Sequence, residues 1–156
     1  ILNLNSNLIG NLNGDIKFFF TNIEHELIRN GILILNISQK NVNFIDVLFN
    51  VGEIGQIKTE AKYIKENGDV IFHSSNSLFV KNKKEFAKKF QLKLGKVKDI
   101  NVLDFKIEKN ITTGLISIFD IKINQAIYDG KNNVKSRYNI KNSQELKSLV
   151  KNIVNN

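Results

Sequence analysis

Alternation of apolar and polar residues dominates the chain and predicts a β-rich fold. A segment in which every second residue is apolar forms a strand that buries one face. The segments with this pattern are residues 1–10, 15–20, 32–38, 102–108 and 114–124, with a more polar one at 134–140. Residues 41–51 are apolar and fit either a strand pair or one strand with a bend. We therefore predict a mainly β domain over residues 1–156, an extended antiparallel sheet built as a meander of long hairpins.

The most specific turn signal lies at the centre of the chain, at Asn67-Gly68. A two-residue hairpin turn needs positive φ at both positions, which Asn and Gly tolerate. Such a short turn fixes the register of its arms, residues 54–66 and 69–80, so that Tyr63 faces Phe72. The other predicted pairs on this face are Glu66/Asp69, Ala61/Ser74, Thr59/Asn76 and Ile57/Leu78. The small and polar pairs interrupt the apolar track along this face.

Two short amphipathic helices are predicted, over residues 83–91 and 143–154. Each helix is preceded by an Asn, and a Glu lies three positions after that Asn, which is the spacing of a capping box. The pairs are Asn82 with Glu85 and Asn142 with Glu145. Apolar residues recur at helical spacing in both segments and face a core. They are Phe86 and Phe90 in the first helix, and Leu146, Leu149, Val150 and Ile153 in the second. We expect the second helix to cover one end or edge of the sheet.

Composition limits the chain to one substantial core. It has 156 residues, of which 42% are hydrophobic, enough for one domain. Because the chain contains no Met, we expect a processed chain or a C-terminal segment of a longer protein. No apolar run reaches the 18 or so residues of a membrane span, so any membrane anchor is expected outside these residues. The absence of Cys excludes disulfides and thiolate metal sites.

Catalytic chemistry has little support in this sequence. Only two histidines are present, His25 and His73. His25 begins a zincin-like motif, but Arg29 occupies the position of its second His. No phosphate-binding loop, nucleophile motif or cluster of carboxylates is visible. We therefore expect a non-enzymatic protein with no catalytic residue, no metal and no cofactor.

The net charge of +8 is concentrated in residues 81–98, which we call the lysine segment. Its lysines are Lys81, Lys83, Lys84, Lys88, Lys89, Lys93, Lys96 and Lys98, against Glu85 alone. A charge run of this kind can be a solvated helix face, a contact for lipid phosphates or a contact for nucleic-acid phosphates. The scarcity of arginine and of exposed aromatic residues nearby makes nucleic acid the less favoured partner.

Four consecutive stretches resemble the C-terminal region of AsmA-like proteins, the Gram-negative envelope family that includes TamB and YhdP. The stretches are GNLNGDIKFFF, NIEHELIRNGILIL, GEIGQIKTEAKYIKENGDVIFHSS and EFAKKFQLKLGKVKDINVLDFKIEKNITTGLISIFDIKI. The resemblance covers residues 11–124. It implies a β-groove with an apolar interior that conducts phospholipids, without catalytic residues. It also implies a periplasmic location and an inner-membrane anchor elsewhere in a longer chain.

The resemblance also implies roles for individual residues. Those expected in the groove or core are Ile16, Phe18, Phe20, Leu33, Leu35, Ile37, Phe105, Ile107, Phe119 and Ile121. Those expected to meet lipid headgroups are Lys83, Lys84, Lys88 and Lys89. The expected function is phospholipid transport between membranes or outer-membrane maintenance, with phospholipid, a membrane surface and the rest of the chain as partners. The alternatives are a basic nucleic-acid-binding module that uses the lysine segment, and a purely structural β-domain.

Overall fold

A computed structural model describes residues 13–21, 28–38, 41–127 and 137–155 of the chain. These residues form one antiparallel sheet of nine strands and three helices. The strands are β1 (Gly14–Phe20), β2 (Asn30–Ser38), β3 (Asn41–Val51), β4 (Gly55–Glu66), β5 (Asp69–Val80), β6 (Val102–Asn110), β7 (Ile116–Ile123), β8 (Ala126–Ile127) and β9 (Tyr138–Ile140). The helices are α1 (Lys83–Phe90), α2 (Leu94–Val97) and α3 (Ser143–Asn155). The predicted fold class is confirmed.

The sheet is a meander in which each strand from β1 to β8 pairs with the next in sequence. The short strands β8 and β9 both pair with β7, at opposite ends of it. The predicted register of the central hairpin is confirmed at every pair, from Glu66 opposite Asp69 to Ile57 opposite Leu78. At its turn, Asn67 has φ of 50° and Gly68 has φ of 89°, the positive values that a two-residue loop requires.

The two faces of the sheet differ in polarity. Residues paired across an antiparallel ladder share a face, so the register assigns each side chain to one of two surfaces. The apolar face carries Phe18, Leu33, Phe44, Phe49, Ile57, Tyr63, Phe72, Leu78, Leu103 and Ile107. The polar face carries Lys58, Glu60, Lys62, His73, Ser75, Ser77, Asp104, Lys106 and Glu108.

Helices α1 and α3 cover the part of the apolar face that lies over β3 to β7. Phe86 of α1 is completely buried, and its ring centroid lies 5.0 Å from that of Phe90. Helix α3 contributes Leu149 and Ile153 to the same core. This core is one continuous cluster that extends from Val51, at the end of β3, to Ile118 and Ile121 of β7.

The helix starts confirm the predicted caps. At α1, the Asn82 side-chain oxygen accepts a hydrogen bond from the backbone N–H of Glu85 at 3.2 Å. At α3, Asn142 accepts from the N–H of Glu145 at 2.9 Å, and the Glu145 carboxylate accepts from the N–H of Lys141 at 2.8 Å. The bonds to Asn82 and Asn142 satisfy N–H groups that a helix leaves without partners at its start.

Two β-bulges break the predicted alternation. In β7, Asp120 and Ile121 lie opposite the single residue Phe105, and Asp120 takes positive φ of 51°. The alternation predicts Phe119 on the same face as Ile121, and this is wrong because the extra residue rotates the strand. Phe119 pairs with Lys106 and lies on the polar face.

The second bulge lies in β3. Residues 41–51 form one continuous strand whose register shifts between Phe44 and Val47, which resolves the ambiguity of this segment. The short elements α2 and β8 were not predicted. The strand predicted over residues 1–10 lies outside the described residues, and of the strand predicted over 134–140 only residues 137–140 are described.

Candidate functional site

The candidate site is the part of the apolar face that the helices leave uncovered, over β1 to β5. Six aromatic residues define it, and we call them the aromatic patch: Phe18, Phe20, Phe44, Phe49, Tyr63 and Phe72. Phe20 and Tyr63 are 36% and 47% exposed, and the other four are half-buried. Two of the six rings are therefore exposed to solvent, and the other four are partly covered.

The rings of the patch form two contacting groups, and β3 contributes one ring to each, with the buried Val47 between them. Phe20 lies 6.3 Å from Phe18 and 6.1 Å from Phe49 between ring centroids. Phe44 lies 5.5 Å from Tyr63 and 5.8 Å from Phe72. Three of these contacts are tilted or edge-on, geometries that aromatic pairs favour.

Three polar side chains on β4 and β5 separate Phe44, Tyr63 and Phe72 from the helix-covered core, whereas Phe49 lies opposite Ile57, which packs against that core. The Thr59 hydroxyl donates to the Asn76 side-chain oxygen at 2.8 Å. The Asn76 amide donates to the Ser74 hydroxyl at 3.0 Å and to the Phe105 carbonyl at 3.3 Å. Ser74 and Asn76 are each only 6% exposed. Because these polar groups bond to one another, the interruption expected from the sequence is a small, satisfied polar cluster.

The predicted groove residues do not all form one surface. Six lie on β1 and β2, on the apolar face: Ile16, Phe18, Phe20, Leu33, Leu35 and Ile37. Of these, Leu35 and Ile37 are fully buried. Phe105, Ile107 and Ile121 belong to the core beneath the helices or pack against it. Phe119 lies apart from the rest, with the Arg137 guanidinium 4.8 Å above its ring.

Sequence reasoning did not assign Phe44, Phe49, Tyr63 and Phe72 to the site. For Tyr63 and Phe72, the predicted hairpin register was a usable signal, because it places the two rings opposite each other on one face. For Phe44 and Phe49 the bulge in β3 hid the alternation that would have placed them.

The four lysines predicted to meet headgroups have different surroundings. Lys84 is exposed, Lys89 is half-buried, and the Lys88 side chain is 79% exposed, 3.9 Å from the Glu85 carboxylate. The Lys83 ammonium instead donates to the carbonyls of Val80 and Ile100 and, at 3.1 Å, to the Asn101 side-chain oxygen. Lys83 thus ties the start of α1 to the segment before β6.

Burial lowers the pKa of the Lys83 ammonium, and the attraction of the Asp99 carboxylate opposes that shift. The neighbouring lysine of the pair, Lys84, is exposed. Of these two adjacent lysines, Lys83 is therefore hydrogen-bonded and partly buried, whereas Lys84 is exposed to solvent.

Replacing Lys83 with Met is expected to lower the free energy of unfolding by about 1 to 3 kcal/mol, because two backbone carbonyls and an amide oxygen lose their donor. The matched control is Lys84→Met, for which we expect a change within about 0.5 kcal/mol. Urea denaturation of both variants measures the difference. Equal stabilities would show that the Lys83 hydrogen bonds do not stabilise the helix junction.

The polar face holds ion pairs and hydrogen bonds. The Lys106 ammonium lies 2.8 Å from the Asp120 carboxylate, and Arg137 pairs with Glu108. His73 is half-buried, and its Nε2 atom is buried without a hydrogen-bond partner. The other histidine, His25, lies outside the described residues.

Within residues 13–21, 28–38, 41–127 and 137–155, no three His, Asp or Glu side chains are grouped to hold a metal ion. None of the helices in these same ranges is long and apolar enough to cross a bilayer. Comparisons with protein-family models, curated proteins and solved structures find no match for this chain. The features that bear on function are therefore the aromatic patch and the lysine segment.

Proposed function

We propose that this chain is a non-enzymatic segment of an AsmA-like envelope protein that contacts phospholipid, in transport between membranes or in outer-membrane maintenance. The proposal places the segment in the periplasm, joined to an inner-membrane anchor elsewhere in a longer chain. The observation that carries it is the aromatic patch, an apolar surface on a sheet whose opposite face is charged.

The patch favours an apolar partner because of what it exposes. Contiguous apolar patches on a soluble domain often mark binding surfaces. Tyr63 and Phe20 expose much of their rings, and bound acyl chains would remove that surface from water. Each buried CH₂ of such a chain contributes about 0.8 kcal/mol. A lipid tail also needs no hydrogen-bond partner, and the ring faces of the patch offer none.

The two-faced sheet suits a segment that meets lipid on one side and water on the other. The polar face carries charged residues on β4 and β6, among them Lys62 and Glu108. Exposed lysines of the lysine segment, such as Lys84 and Lys88, supply cations for headgroup phosphates. The proposed ligand is therefore a phospholipid whose tails lie on the patch.

The nucleic-acid alternative has less support from the surroundings of the lysine segment. Binding of single strands combines cations with exposed aromatic rings on which bases stack. Phe86 and Phe90, the aromatic residues of α1, are buried in the core. The lysines of α1 therefore lack neighbouring rings on their own helix for stacking.

A double substitution in the patch tests the proposal. We expect Phe20→Ser with Tyr63→Ser to weaken binding of dihexanoylphosphatidylethanolamine about tenfold or more, because two apolar contact surfaces are lost. Isothermal titration calorimetry measures the affinity. The fold should remain, because both side chains are partly exposed.

The matched control is Phe19→Ser. Phe19 is 69% exposed, but it lies on the opposite face of β1 from Phe20. Its loss should leave lipid affinity unchanged. Equal weakening by both variants, or no binding by the unmodified chain, would contradict the proposal.

A further inference from the structure

A cavity of about 140 Å³ lies between the sheet and helices α1 and α3. All of its lining side chains are aliphatic or phenylalanine, including Leu78, Phe90, Ile118 and Val150. Protein cores are usually packed without voids of this size. An apolar cavity near 150 Å³ stays dry and can hold benzene or xenon. The space therefore fits a small apolar group and offers no hydrogen bonds to a polar one.

Three of the lining residues are only partly buried, and they locate the accessible side of the cavity. Ile57 and Phe105 lie on the apolar face, on β4 and β6, and Leu146 lies near the start of α3. The remaining lining residues belong to the buried core. A ligand would therefore enter between α3 and the sheet, from the same face that carries the aromatic patch.

We propose that this cavity binds the methyl end of one acyl chain. The inference rests on the proposed function, because it assigns a place to the end of a lipid whose remaining length lies on the apolar face. The cavity has about the volume that holds one benzene ring, so it accepts a few terminal carbons and excludes a headgroup. The charged ends of the lipid would stay outside.

Two probes test the cavity directly. Benzene should raise the melting temperature of the protein in a concentration-dependent manner, because a ligand that binds only the folded state stabilises it. Dihexanoylphosphatidylethanolamine labelled with ¹³C at the terminal methyl groups should give nuclear Overhauser contacts to the methyl groups of Leu149, Val150 and Ile118.

Val150→Phe fills the cavity and should weaken benzene binding at least tenfold and abolish the contacts from the lipid methyl groups. The control is Ser148→Phe, which places the same ring at an exposed position of α3 and should change neither result. If Val150→Phe does not fold, as judged by circular dichroism, the smaller change Val150→Leu should still weaken benzene binding relative to Ser148→Phe.

The outcomes separate this inference from the proposed function. Lipid binding that shifts resonances of Tyr63 and Phe72, without contacts to the cavity methyl groups, overturns the inference and leaves the function in place. Benzene binding without lipid binding overturns both the inference and the function. Failure of both probes to bind likewise overturns both.

Discussion

Replacing Phe86 with Ala is expected to lower the free energy of unfolding by about 3 to 5 kcal/mol. The Phe86 side chain is completely buried, and it joins α1 to the core beneath the sheet. Removing its ring deletes the contact with Phe90, whose centroid lies 5.0 Å away. It also enlarges the cavity that already lies beside it, so the loss includes both transfer and cavity terms. Urea denaturation followed by circular dichroism measures the change.

The control for this substitution is Phe19→Ala. Phe19 is 69% exposed, with the Lys17 ammonium 5.9 Å from its ring centroid. Its removal should change stability by no more than about 0.5 kcal/mol. If both variants lost a similar amount of unfolding free energy, the buried position of Phe86 in the core would be contradicted.

Replacing Gly55 with Ala is expected to cost about 2 to 6 kcal/mol, the sum of backbone strain and of crowding. Gly55 has φ of 155°, and an added Cβ would lie 1.9 Å from the carbonyl oxygen of Phe79. That oxygen belongs to the backbone of the neighbouring strand, so it cannot rotate away. Ile54, the residue before Gly55, accepts hydrogen bonds through its carbonyl from the N–H groups of Lys81 and Asn82. The clash therefore disturbs the junction at which β5 leads into α1.

The comparison for Gly55 is Gly68→Ala, in the turn of the central hairpin. Gly68 also has positive φ, at 89°, but a Cβ there meets nothing within 4 Å. Only backbone strain applies, so we expect a loss of about 1 to 2 kcal/mol. Differential scanning calorimetry ranks the two variants. A Gly68→Ala variant less stable than Gly55→Ala would contradict the close packing at Gly55.

The local pattern predicted the fold well where short-range rules decide the structure. The Asn67-Gly68 turn fixed the register of the central hairpin because a two-residue loop permits only one pairing. The capping residues Asn82 and Asn142 predicted where α1 and α3 begin. In each helix the Asn side chain and the Glu whose N–H donates to it lie within one turn. Each of these signals depends on residues that are close together in sequence.

Features that depend on distant residues could not be predicted in the same way. Phe119 was placed on the wrong face because Asp120 adopts a bulge without glycine to mark it. The bonds of Lys83 to Ile100 and Asn101 join residues 17 and 18 positions apart, which no local pattern reveals. The extent of the aromatic patch likewise depends on where α1 and α3 lie over the sheet. Tertiary packing decides each of these features.

Native mass spectrometry of the protein expressed in a Gram-negative host, with lipid extraction of the same sample, tests the lipid proposal most directly. We expect bound phospholipid in the unmodified chain and in Phe19→Ser, and its loss in Phe20→Ser with Tyr63→Ser at unchanged circular dichroism. A folded, lipid-free protein that instead binds RNA in a salt-dependent way would contradict the proposal and favour the nucleic-acid alternative.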